Sequence, residues 1–124
     1  MTATAEKPRY LFAITGFDHE PDRTAAPLVI ATSALAAGAN VLVWVTHEAV
    51  QLAKNGAADG IQPASFPALT ELLDKFREAG GRIGVCPPCG KTHGVTDDNI
   101  VANAEWMGAT AVLDAAQERH VFSF

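Results

Sequence analysis

The chain has 124 residues and a mass of 13.0 kDa, enough for a single domain whose folding removes roughly two-thirds of the unfolded surface from water. With 48% apolar and 19% charged residues it reads as globular, neither disordered nor fibrous. A net charge of −5 with no basic cluster argues against nucleic acid as a partner, and two cysteines three residues apart do not make the disulfide framework of a secreted scaffold.

Residues 1–8 read as a flexible tail. They lack a basic start followed by an apolar stretch, so a cytoplasmic location is expected. Arg9–Ile14 is a short apolar run, as in strands of a parallel sheet covered on both faces. The polar loop Thr15–Asp22 leads into a helix expected over 24–37, with Pro27 confined to its first turn and Gly38 as its stop. Val41–Val45 is β-branched and aromatic, and reads as the second strand. The 23 uncharged residues from Thr24 to Thr46 are long enough to span a bilayer, but Pro27 and the turn at Gly38 divide them into helix and buried strand. No membrane partner is expected.

Thr46 is placed to cap a short helix, 47–54, ended by Asn55-Gly56. Leu69, Leu72, Leu73 and Phe76 recur at i, i+3, i+4 and i+7, the apolar stripe of a helix closed by Gly80-Gly81. Strand three, Arg82–Val85, runs into Cys86-Pro-Pro-Cys89. A short helix is expected from Thr96, with Asp97 and Asp98 near its start. Thr110–Leu113 resembles a strand locally, but only six residues would separate it from the last strand, His120–Phe124, and a parallel crossover needs about a dozen. Strand four therefore falls at Ala104–Met107, followed by a helix capped by Thr110 and running to Gln117. The sum is one three-layer α/β/α domain, 9–124, with a mostly parallel sheet of about five strands. The apolar first helix and the aromatic C-terminal strand both need covering, which favours self-association.

Sites in open α/β sheets form beyond the carboxyl ends of strands. Those ends deliver Asp18 and His19, then His47 and Glu48, then Cys86, Cys89 and His93; His120 falls at the opposite edge. A cysteine entering a first helical turn faces free backbone N–H groups that favour its thiolate, so Cys86 is expected to be the more acidic thiol. Three chemistries suit the pair: thiol–disulfide exchange, a persulfide relay, or a metal held by Cys86, Cys89, His93 and His47. A non-enzymatic binding module built on that Cys/His cluster is the alternative to sulfur or redox chemistry. No G-x-G-x-x-G or G-x-x-x-x-G-K-[ST] is present, and no cofactor is implied.

Ile83-Gly-Val-Cys86, Gly94-Val95-Thr-Asp-Asp98 and His120-Val-Phe-Ser-Phe124 resemble the DsrE-like family of sulfur-relay proteins (the DsrE, DsrF and TusD superfamily). The branch often labelled predicted peroxiredoxin, in which a strand ends in Val-Cys-Pro-Pro-Cys, is the most similar part. The resemblance implies a flavodoxin-like fold, a cytoplasmic trimer or hexamer, donor and acceptor proteins for sulfur, and a sulfur-carrying cysteine at Cys86. The small residues and Arg-Arg-Gly that typically follow that cysteine are replaced by Pro87-Pro-Cys-Gly-Lys91. A second thiol so close points to Cys89 as a resolving partner that releases sulfide, with Asp18, His19, His47 and His93 in support. No Pro-x-x-x-Thr-x-x-Cys peroxidatic loop is present.

Overall fold

A computed structural model describes residues 7–124. The elements, in chain order, are β1 (Arg9–Ile14), α1 (Pro21–Ala36), β2 (Asn40–Val45), a 3₁₀ segment (His47–Ala53), α2 (Leu69–Glu78), β3 (Arg82–Val85), α3 (Pro87–Thr92), β4 (Ala104–Trp106), α4 (Ala109–Ala116) and β5 (His120–Ser123). The five strands form one sheet in the order β4-β3-β2-β1-β5, with every pair parallel. The chain steps one way from β1 to β4 and returns to β5. Right-handed crossovers therefore put α1 and α2 on one face and α4 on the other.

Strand alternation builds the main core. Phe12, Ile14, Val43, Val45, Ile83 and Val85 project onto the first face and join Leu28, Leu69, Leu72 and Phe76 in one cluster. The second face is thinly covered, because α4 buries none of its residues and Leu113 is 68% exposed. There the Trp44 indole N–H donates to the Met107 carbonyl at 3.0 Å. Arg119 donates to the Tyr10 carbonyl at 2.9 Å, tying the start of β5 to β1.

Several expectations are corrected. Helix α1 begins at Pro21, which takes the first-turn position, so Pro27 lies in the interior and is fully buried. Its missing N–H leaves the Arg23 carbonyl without a helical donor. Gly38 ends the helix as expected, at φ +92°, with Ala39 N–H returning to the Ala34 carbonyl. The segment after β2 is 3₁₀ rather than α-helical, and Thr46 makes no side-chain cap hydrogen bond to it. Residues 96–99 form a turn and not a helix: the Asn99 side chain accepts the Thr96 N–H at 2.8 Å and donates to the Gly94 carbonyl at 2.8 Å. The Thr96 carbonyl accepts the Ile100 N–H at 3.0 Å, so one helical turn forms, but Ile100 then bridges to Lys54 and the Val101 N–H turns to the Ala53 carbonyl at 2.8 Å, which stops the ladder there. Gly108, not Thr110, stands at the head of α4. The last strand sits at the sheet edge beside β1, with Val121 52% and Phe122 45% exposed.

Candidate functional site

Because the whole sheet is parallel, the carboxyl ends of all five strands share one edge. The loops there enclose an open cleft of about 660 Å³, lined by Thr15, His47, Glu48, Pro88, Cys89, Thr92 and His93. Three elements supply these groups: the residue just past β1, the start of the 3₁₀ segment, and α3. Asp18 and His19 lie on the exposed β1–α1 loop and do not line the cleft. Thr15, Pro88 and Thr92 were not singled out from sequence. Thr15 is the first residue beyond β1, and applying the strand-end rule one residue earlier would have found it.

The cysteines flank the head of α3. Cys86 is anchored through its backbone N–H to the Val45 carbonyl at 3.1 Å, and its own carbonyl accepts the Gly90 N–H at 2.9 Å. Both thiols are free and half-buried, but Cys86 is not among the residues lining the cleft. Partial burial pushes the Cys86 thiol up from its ordinary range. The Cys89 N–H pulls the other way, and the Cys89 thiol beside it adds to the rise. Desolvation outweighs that N–H, so the Cys86 thiol lies above its ordinary range where the start of a helix was expected to lower it.

This reversal has a measurable sign. A thiol whose proton is held more tightly in the folded state adds stability below its unfolded pKa, and that stability is lost as pH rises through the folded one. Only thiolate reacts with iodoacetamide. Labelling of Cys86 across a pH series, read by peptide mapping, is therefore expected to have its midpoint at higher pH in the native protein than in the urea-unfolded chain. A native midpoint at lower pH would show that the helix terminus wins after all.

On the opposite flank of α3, the Trp106 indole N–H donates to Asp97 at 2.7 Å, and its ring lies where a side chain at Gly90 would sit, about 2.5 Å from the position of such a Cβ. Gly90 thereby lets β4 brace the short helix that carries the cysteines. His47 stands at φ +52°, with its Nδ1 2.8 Å from the Thr46 hydroxyl. Among the described residues, no three His, Cys, Asp or Glu side chains gather closely enough to hold a metal ion. The set Cys86, Cys89, His93 and His47 therefore does not assemble as a metal centre.

The DsrE/DsrF-like family model matches residues 9–124, from the first strand to the last. The chain belongs to that family. This DsrE/DsrF-like domain is 29% identical over 84 residues to an uncharacterized protein of Methanopyrus kandleri, covering 68% of this chain and 66%, just under two-thirds, of the relative. It is 27% identical over 97 residues to an uncharacterized protein of Methanocaldococcus jannaschii, covering 78% and 82%. Among solved structures, YchN from E. coli superposes with a TM-score of 0.77 over 94% of this chain and 99% of its own, at 12% identity. A protein of unknown function from Methanobacterium thermoautotrophicum gives 0.66 over 95% and 100%, at 13% identity. These structures share the fold: a five-stranded parallel sheet with helices on both sides. Among the described residues, no helix is long and apolar enough to cross a membrane.

Proposed function

We propose that this chain is a cytoplasmic sulfur-relay and thiol-redox protein in which Cys86 accepts a sulfane sulfur and Cys89 resolves it. The observation that carries this reading is the placement of two free thiols one helical turn apart, one of them opening onto a cleft at the carboxyl edge of the sheet. Family membership supports the sulfur chemistry. In the first step the Cys86 thiolate takes the outer sulfur of a donor persulfide, forming Cys86–S–SH and releasing the donor as a thiolate. In the second, once the persulfide proton has dissociated, the Cys89 thiol attacks the inner sulfur, the persulfide S–S bond breaks, and the outer sulfur takes up the Cys89 proton and leaves as hydrosulfide while the Cys86–Cys89 disulfide forms. The sulfane sulfur is reduced and the two thiols are oxidised; a dithiol reductant restores them. Incubating reduced protein with an excess of a sulfane donor is expected to yield sulfide and one intramolecular disulfide in equal amounts. Sulfide without disulfide would remove the resolving role.

Self-association, as a trimer or hexamer, completes the proposal. Ile30 at 48% exposure, Leu113, Val121 and Phe122 leave apolar surface on α1, α4 and the open edge of β5. Light scattering is expected to give a mass above that of a 13.0 kDa monomer, and a clean monomer at micromolar concentration would refute it. Donor and acceptor proteins for the sulfur belong to the same reading.

A further inference from the structure

We infer that His47, held by Thr46, is the proton shuttle of the sulfur-release step; this rests on the two-thiol reading above. The step itself creates the need. A persulfide is present largely as Cys86–S–S⁻, whose terminal sulfur cannot depart as a bare dianion. The attacking thiol, Cys89–SH, must meanwhile lose a proton. One proton moved from Cys89 to the departing sulfur satisfies both: Cys86–S–S⁻ plus Cys89–SH gives the disulfide plus HS⁻, with charge and atoms conserved. A group in the cleft that takes and then returns a proton is what this exchange requires, and imidazole suits that task near neutral pH.

Two histidines line the cleft with Cys89, and the structure treats them differently. The His47 backbone occupies the left-handed region at φ +52°, a costly conformation for a residue with a Cβ, and such strain collects at functional positions. The strained residue is firmly held. Thr46 N–H donates to the Ile14 carbonyl at 3.1 Å, and Ala49 N–H donates to the Thr15 carbonyl at 3.3 Å, on either side of it. The Thr46 hydroxyl, on a residue only 9% exposed, engages Nδ1 and leaves Nε2 as the free ring nitrogen. His93 has its backbone N–H on the Cys89 carbonyl at 3.0 Å, and among the described residues no side-chain hydrogen bond fixes its ring. Glu48 is the remaining titratable group on the lining. Thr46 is thus a positioning residue, acting through His47.

The test follows sulfide release after loading with a sulfane donor. His47→Gly suits the left-handed backbone, so its Tm is expected to be no lower than wild type, while release slows on the order of a hundredfold. Added imidazole is expected to restore most of that loss, which a purely structural role for His47 would not allow. Thr46→Val is expected to slow release about tenfold with Thr46→Ser near wild type, and His93→Gln is expected to slow it far less than His47→Gly does. Release at the wild-type rate in His47→Gly, slowing that imidazole does not relieve, or the loss appearing in His93→Gln instead would overturn the assignment. If wild type and every variant alike yield no sulfide, the two-thiol reading is what has failed, and this assignment falls with it.

Discussion

Loaded with a sulfane donor, Cys89→Ala is expected to retain one extra sulfur on Cys86 on the order of a hundredfold longer than wild type, and Cys86→Ala to load poorly. In wild type the second thiol is tethered three residues away, within one turn of α3, so a persulfide on Cys86 meets it at an effective concentration of roughly millimolar or more. Free thiols in bulk compete weakly at that level, and half-burial of Cys86 shields the persulfide further. Deleting Cys89 removes the intramolecular route and leaves only slow exchange with solvent thiols. Loading itself requires Cys86 as thiolate, and burial raises that thiol, so uptake should accelerate towards alkaline pH. Intact-mass spectrometry over time reads both quantities. Equal sulfur lifetimes in wild type and Cys89→Ala would show that Cys89 resolves nothing, and loading confined to Cys86→Ala would exchange the two roles.

The largest loss of stability is expected at Phe76. Its side chain is fully buried in the main cluster, and its ring fills the space beside Gly81, where a Cβ would overlap it. Phe76→Ala is expected to cost about 3–5 kcal/mol, since it removes a large apolar group and leaves a cavity that α2 and β3 cannot collapse into. For a domain of this size each kcal/mol moves Tm by about 3–5 °C, so a fall of roughly 9–25 °C should appear in thermal unfolding. Gly81→Ala tests the same contact from the other side. With Phe76 in place it should cost about 1–3 kcal/mol through overpacking, because a fully buried ring has nowhere to move. In the Phe76→Ala background that cost should largely vanish, a coupling that a double-mutant cycle measures directly. Additive losses would mean that the ring and Gly81 do not share the space.

Much of the fold follows from local pattern. Of the stripe Leu69, Leu72, Leu73 and Phe76, three are buried on α2 and Leu73 packs half-buried against the same core, and Gly38 and Gly80 close the helices they follow. The span a parallel crossover needs, weighed against the local look of Thr110–Leu113, places a strand at Ala104–Met107 and a helix after it, and β4 is that strand less its last residue. Strand ends likewise brought His47, Glu48, Cys89 and His93 to one cleft, because in a parallel sheet every carboxyl end shares an edge. Spacing and period are properties of a short window, and a window of sequence contains them.

The rest depended on contacts between distant segments. That β5 takes the outer place beside β1 is set by pairing across more than a hundred residues, and it leaves Val121 and Phe122 uncovered. Pro27 is tolerated inside α1 because packing against the sheet offsets one lost hydrogen bond. Pairing of Ile100 with Lys54 and of the Val101 N–H with the Ala53 carbonyl limits to a single turn the segment where the acidic pair suggested a helix. The raised Cys86 thiol reflects its partial burial in the folded chain, which outweighs the opposing Cys89 N–H. His47 carries no mark in the sequence of its left-handed backbone, since the strain is held by bonds from Thr46 to Ile14 and from Ala49 to Thr15. Local pattern is enough to find most elements and the edge at which the chemistry gathers. Burial and long-range hydrogen bonding, which act only once the chain has closed on itself, decided how each group there is tuned.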